Sequence, residues 1–469
     1  MDLSIVFPKF FRNIREAAAR TQHPLKNVAK VPNLHLIKGI FCDKIKEYAF
    51  LYLLEKRSAV FLRHLAVSEG RVGAFRVMKG VNQKMIVKPK VRGFICTTAH
   101  PVGCEAAVKQ QIEYVKAQPR TNGPKKVLVI GASMGYGLAS RISAAYSCGA
   151  ATLGVIFDKE ASGNKTGTSG WYNTKAFEKF AAADGLYAKT VNGDAFSEEC
   201  KKEVIDLIKS DLGKVDMVVY SLASPRRAVG DVVYSSVLKT TGDSYTNKSI
   251  DLRNNTVSEV TLEPATEEEI AATVKVMGGE DWEMWIDALK AADVIEDNAV
   301  TVAYSYIGPK ITHPMYFEGS IGRAKAHLYE TSKKLTEKYA DSNIKAYISV
   351  NKALVTQSSA AIPIVPLYIS ILYKVMKAKG VHEGCIEQMY RLFNQKLFAG
   401  EPVVDEQGMI RLDDLEMEQD IQDEVSKLWD ELNADNFKDY TDLDGYWSDF
   451  YELFGFGIDG VDYDADVEV

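Results

Sequence analysis

The stretch AYSYIGPKITHPMYFEGSIGRAKAHL, residues 303–328, holds three side chains suited to one kind of chemistry: Tyr306, Tyr316 and Lys325. Reduction of a polarised double bond places negative charge on an oxygen. A phenol with an ammonium nearby can supply the donor that this oxygen needs. Spacing alone does not bring Tyr316 and Lys325 together. Nine positions along a continuous helix turn through about 900°, which leaves the two on opposite faces. Gly319 and Gly322 predict that the segment opens as a loop, which would let the pair meet. Taken alone, Tyr316 is one of 23 tyrosines, so its chemistry depends on what surrounds it.

A cofactor site is legible upstream. KKVLVIGASMGYGLASRISAAY, Lys125 to Tyr146, reads as a buried strand, a glycine-rich turn and a helix. Gly131, Ser133, Gly135 and Gly137 would let the backbone turn tightly against a pyrophosphate, which then meets the helix N-terminus. Glycines that merely allow close packing are the alternative, and the flanking strand and helix argue against it. The next strand, ATLGVIFDKE, ends at Asp158, 21 positions after Gly137. A carboxylate there can accept from the adenosine ribose and repel the extra phosphate of NADP, so NADH is expected over NADPH. Asp194, in NGDAF, is placed to bond the adenine edge or to serve as a turn or helix-cap acid. Ser221–Ser224, with Leu222 and Ala223 between them, close a later strand beside the nicotinamide half. Arg226 and Arg227 could hold a phosphate or carboxylate, or stand solvated.

The elements that must position these residues alternate. Strand-like runs at Val127–Ile130, Thr152–Phe157, Tyr187–Val191, Met217–Tyr220, Thr301–Tyr306 and Ala346–Val350 are separated mostly by helical patterns. The expected fold is α/β: a doubly wound, Rossmann-type parallel sheet, short-chain-dehydrogenase-like, in one domain over 85–469. A large insertion is expected at 231–297, over the cofactor cleft, and a helical tail at 381–469. Net charge is −6 overall, which gives no basic signal for nucleic acid. Residues 1–84 differ, with 16 Lys/Arg against 6 Asp/Glu. They read as a transit segment or, preferably, as an upstream extension ahead of a start at Met85. The protein is expected to be a cytoplasmic monomer, or mitochondrial if that extension is a genuine transit segment. Scattered cysteines and no HExxH argue against a disulfide frame or a metal site, and no run reaches transmembrane length.

Longer stretches carry a resemblance. MIVKPKVRGFICTTAHPVGCE, GASMGYGLASRI, GTSGWYN, GDAFS, YSLASPRR, VMGGEDW, NKALVTQSSAAIPIVPLY, HEGCIEQ and GFGIDGVDYDADV make residues 85–469 resemble the trans-2-enoyl-CoA reductases and their FabV-type enoyl-ACP counterparts. That family separates its catalytic tyrosine and lysine by eight residues. The resemblance therefore implies that Tyr316 is catalytic, with Lys325 its partner and Tyr306 a second active-site tyrosine. It also implies cofactor contacts from Tyr136, Phe157, Ala195, Val355, Thr356 and Gln357, and substrate contacts from Ser359 and Ile362. The family's acid after the second strand is usually glutamate, whereas here it is Asp158. Ile362 to Tyr373 would wall an acyl channel, unless the run is plain core helix. The implied activity is NADH-dependent reduction of an enoyl thioester carried on acyl carrier protein or, close behind, coenzyme A. A ketone reductase using Tyr329 and Lys333, four apart, and a non-catalytic NADH-binding sensor are the competing readings.

Overall fold

The computed structural model describes residues 84–222 and 224–469. The basic extension up to Val81–Gln83, and Ala223 with its expected cofactor contact, lie outside the described residues. Among them a seven-stranded sheet forms from β1 (Lys126–Ile130), β2 (Ala151–Ile156), β3 (Ala188–Asn192), β4 (Val215–Tyr220), β5 (Ile295–Ser305), β6 (Lys345–Val350) and β7 (Ile410–Arg411). Their order is β7-β6-β5-β4-β1-β2-β3, and every pairing is parallel. The first six match the expected strands to within a few residues, except that β5 starts six positions earlier, at Ile295. The connection after β4 therefore runs only to residue 294. The two-residue β7 was not foreseen, being too short to carry a periodic signal.

Alternation within β1 explains why it is apolar throughout. Val127 and Val129 enter a core on one face, built with α1 (Pro101–Lys116), α2 (Gly135–Ser147) and α3 (Ser169–Ala183). Leu128 and Ile130 enter the core on the other face, with α4 (Glu198–Leu207) and later elements. Both faces of a parallel strand are thus dry, as a sheet flanked by helices requires. The connection from β4 to β5 holds two hairpins, Arg226–Val229 with Val232–Ser235 and Tyr245–Asp251 with Thr256–Leu262. It then forms α5 (Glu267–Met277) and α6 (Glu280–Ala291). Thr266 and Glu269 start α5 with a reciprocal capping box. Trp282 and Trp285 of α6 are fully buried under the sheet, as are Leu328 and Leu335 of α7 (Ser320–Lys338).

A third core surrounds α8 (Val365–Ala378). Leu367, Tyr368, Ile371 and Leu372 are buried there against α10 (Gln419–Glu431) and α11 (Leu443–Glu452), which follow the short α9 (Cys385–Arg391). Ile364 enters α8 at φ 71°, a costly conformation for a β-branched residue, and its N–H donates to Ser249. Lys84–Met85 pairs with Val467–Glu468, tying the two ends of the described chain together. No helix among the described residues is long and apolar enough to cross a membrane.

Candidate active site

The sheet order reverses between β1 and β4, and at that point open α/β sheets leave a crevice at their carboxyl ends. A cleft of about 660 Å³ lies there. Gly131 sits at φ 85°, and a Cβ on it would come within 2.2 Å of the Ser221 carbonyl, so only glycine lets the two strand ends approach. Gly137 does not line the cleft. A Cβ there would stand 1.9 Å from the Gly131 carbonyl, so its task is to close α2 onto the turn. Gly131, Ser133, Gly135 and Tyr136 do line it. The N-cap of α2 is Met134, whose side chain accepts no N–H, leaving the first-turn donors to an incoming anion. The turn thus fits a pyrophosphate.

Phe157 and Asp158 form one lip of the cleft, with Phe157 80% exposed. The hydroxyl of Thr168, the N-cap residue of α3, donates to Asp158 Oδ1 at 2.7 Å, and a Cβ on Gly170 would collide with the same carboxylate. Asn192 grips the Asp158 backbone through both its N–H and its carbonyl. An acid held this firmly can discriminate between ribose substituents. Asp158→Ala is expected to narrow the ratio of kcat/KM for NADH over NADPH by about tenfold. An unchanged ratio in parallel steady-state assays would remove that role.

Asp194 and Ala195 line the cleft after β3, where Asp194 also accepts the Phe196 N–H as a turn acid. The Ala195 carbonyl is taken by Lys201 and Trp285. Leu222 lines the β4 end. The two arginines differ. Arg227 is buried in an ion pair with Glu280 at 2.7 Å, whereas Arg226 is exposed at the cleft.

The tyrosines meet at the far end. Tyr306 follows β5 directly, and Tyr316 lies in the turns before α7, as the two glycines suggested. Cβ atoms on Gly319 and Gly322 would strike the carbonyls of Met315 and Phe317, so these glycines fold the Tyr316 turn onto the helix start. The rings of Tyr306 and Tyr316 stand edge to face with centroids 5.1 Å apart. Their hydroxyls are used differently. Tyr306 donates to Glu416 at 3.2 Å, while the Tyr316 hydroxyl makes no hydrogen bond among the described residues. Burial pushes the Tyr316 phenol up to about 12, so it stays protonated and able to donate. Lys325 lines the same cleft but bonds neither tyrosine; its ammonium donates to the Tyr304 carbonyl at 2.9 Å.

Burial lowers Lys325 to about 8, because desolvation disfavours its charged form. A lysine lowered in this way loses its proton as pH rises through that value. If its charge serves the reaction, kcat/KM for NADH should fall above about pH 8, since that parameter reports free-enzyme ionisations. Arg has no such ionisation, so Lys325→Arg should shift or abolish this limb in whatever activity remains. An identical limb in the variant would assign it to another group.

Thr356 and Ser359 brace each other through reciprocal N–H to hydroxyl bonds of 2.9 and 3.0 Å, and with Gln357 they line the cleft. Val355 does not; it is buried in the third core, and its N–H donates to Tyr373. Ile362, Val365 and Ile369 face the cleft, whereas most of α8 is core, so the IPIVPLYISIL run serves both purposes. Tyr329 is engaged elsewhere: its hydroxyl donates to the Gln407 carbonyl, it is absent from this cleft, and the Lys333 ammonium lies over its ring.

Two residues here escaped sequence reasoning. Glu416 is wholly buried and accepts from Tyr306, from Tyr368 at 2.6 Å and from the Ala353 N–H at 2.7 Å. Lys352, also buried and lowered to about 8 by desolvation, donates to the Ala353 carbonyl, while its own carbonyl accepts from Tyr136. Glu416 lies 110 positions from Tyr306, and no spacing rule links them.

A doubly wound sheet, a glycine turn at its switch point, an acid after β2, and a free phenol and a half-buried lysine lining one cleft define a nicotinamide-dependent oxidoreductase. Family models narrow this. The NAD(P)H binding domain of trans-2-enoyl-CoA reductase matches residues 86–163, and the catalytic region of the same enzyme matches 165–398. The chain is 60% identical over 387 residues to the trans-2-enoyl-CoA reductase (NADH) of Ruminiclostridium cellulolyticum, covering 82% of this chain and 98% of that one. It is 56% identical to the enoyl-(acyl-carrier-protein) reductase (NADH) of Cytophaga hutchinsonii, with the same two coverages. The crystal structure of Treponema denticola trans-2-enoyl-CoA reductase in complex with NAD superposes with a TM-score of 0.78 at 49% identity, over 82% of this chain and 98% of that one. This chain belongs to the trans-2-enoyl-CoA reductase family.

A third family model, described as an enoyl reductase FAD binding domain, matches residues 404–467. The residues present do not fit that group. The segment carries 21 Asp/Glu against 3 Lys/Arg, which would repel a flavin pyrophosphate. Ile421, Val425, Trp429, Tyr446 and Phe450 bury its apolar face in the core around α8. It contributes Glu416, which holds the Tyr306 hydroxyl, and Leu453, which lines the cleft.

Proposed function

We propose that Tyr316 donates the hydrogen bond that stabilises the thioester oxygen while this enzyme reduces the trans-2 double bond of an enoyl thioester with NADH. The free Tyr316 hydroxyl, edge-on to a Tyr306 already committed to Glu416, is the observation that carries this reading. NADH, when bound, supplies the hydride that reaches Cβ. Charge then develops on the thioester oxygen, and a preorganised donor in a dry site is the usual source of its stabilisation; the enolate returns to the saturated thioester as Cα takes a proton from solvent. Tyr306 contributes its ring and fixes that of Tyr316. Gly131, Gly135, Asp158 and Asp194 hold the dinucleotide, and Lys325 supplies charge beside the ribose. Ile362, Val365 and Ile369 line the acyl side.

Crotonyl thioester and a β-ketoacyl thioester, assayed side by side with NADH, test the reaction type. Consumption on the enoyl substrate is expected, and consumption confined to the ketone would favour the rival reductase. On the carrier, we propose acyl carrier protein first and coenzyme A second; the motif wording that leans toward the carrier-protein branch supports this order. Faster turnover of crotonyl-CoA than of enoyl-ACP at matched concentration would reverse it. We also propose a cytoplasmic monomer, for which sedimentation should give a single species at the mass of one chain.

A further inference from the structure

A second cavity, of about 860 Å³, adjoins the cofactor cleft, and Ser305, Tyr306 and Lys325 line both. It is bounded by loop 240–245, by Phe317 and Glu318 of the Tyr316 turn, and by one face of α7. No residue of α8 reaches it, so the apolar wall belongs to the first cleft alone.

An enoyl thioester has two unlike halves meeting at the carbonyl that the tyrosines would face. The acyl half wants the α8 wall. The other half is a polar arm with amides and a terminal phosphate, shared in chemistry by coenzyme A and acyl carrier protein. Two features of the second cavity suit such an arm. Arg323 is exposed there, and its guanidinium makes no ion pair or hydrogen bond among the described residues. Arg411, at the same cavity, is instead held by Asp413 at 2.6 Å. Thr240 is 2% exposed and lines the cavity, and its hydroxyl is buried with no partner. An orphaned hydroxyl of this kind is costly unless a ligand group satisfies it. Among the described residues Asp243 and Glu318 also border the cavity without ion-pair partners, and they offer acceptors to the N–H and O–H groups of the arm while keeping a phosphate to the Arg323 side.

We propose that this cavity holds the phosphopantetheine arm of the substrate, with Arg323 binding its phosphate and Thr240 bonding an amide. The proposal rests on Tyr306 and Tyr316 being the reacting centre. A guanidinium grips phosphate through two parallel donors, which a single ammonium matches only in part.

The test compares crotonyl thioesters of phosphate-free pantetheine, coenzyme A and acyl carrier protein, using the full chain. Arg323→Glu should lower the kcat/KM ratio of each phosphate-bearing substrate over the phosphate-free one by about tenfold. Arg323→Lys should restore part of it. An unchanged ratio overturns the proposal. A loss with both carriers assigns the phosphate they share. A loss with coenzyme A alone points to a nucleotide phosphate, and one with the carrier protein alone to a surface contact; either overturns the arm assignment. Tyr316→Phe separates this from the proposed function: activity retained on all three thioesters would misplace the reacting centre whatever Arg323 does.

Discussion

Tyr316→Phe is expected to lower kcat by about a hundredfold to a thousandfold, the range found when one preorganised donor to a developing oxyanion is removed. The substitution deletes one oxygen and leaves the ring that packs against Tyr306. The effect should therefore fall on kcat and kcat/KM together, since the donor acts chiefly when charge appears. Tyr306→Phe should cost less, because the Tyr306 hydroxyl is already given to Glu416. Steady-state assay of both variants checks the ranking. Equal losses would mean that Tyr306 also turns its proton to the substrate.

The second large effect is on stability. Glu416→Leu removes the acceptor for the buried Tyr368 phenol, the half-buried Tyr306 phenol and one buried N–H, and it leaves the buried Lys352 without the carboxylate that most favours its charge. Breaking such a buried network costs about 3–5 kcal/mol. Glu416→Gln keeps an acceptor oxygen and should lose less. Chemical denaturation of the three proteins measures this. A Leu variant as stable as the parent would show that the core around α8 does not depend on this acid.

Burial also raises Glu416, so the folded state holds its proton to a higher pH than the unfolded chain does. The sign follows from linkage. Stability contributed by this group is lost as pH climbs from the ordinary carboxyl value through the raised one.

What could be read from the residues alone was whatever sits close in sequence. Gly131 to Gly137 carry their own strand and helix, so the cofactor turn and Asp158 were legible from spacing and pattern. The Tyr316 loop was legible because Gly319 and Gly322 interrupt a helix just where the turn must fold back. Gly137 and Val355 were placed at the cofactor but face α2 packing and the third core, because a residue's direction is set by neighbours distant in the chain. Glu416 was illegible for the same reason. It is one acid among 21 in its segment, and only the docking of that segment on α8 aims it at Tyr306. The pairing of Tyr316 with Lys325 was implied by resemblance, yet the two side chains share a cleft without sharing a hydrogen bond.

We propose the tyrosine cleft as the place where this chain reduces an enoyl thioester with NADH. The most direct measurement follows NADH oxidation by the full chain on crotonyl-CoA and enoyl-ACP, with the acyl product identified by mass. One NADH should be consumed for each saturated thioester formed, and Tyr316→Phe should lose nearly all of that turnover. A folded protein that binds NADH but yields no saturated thioester from either substrate would contradict it.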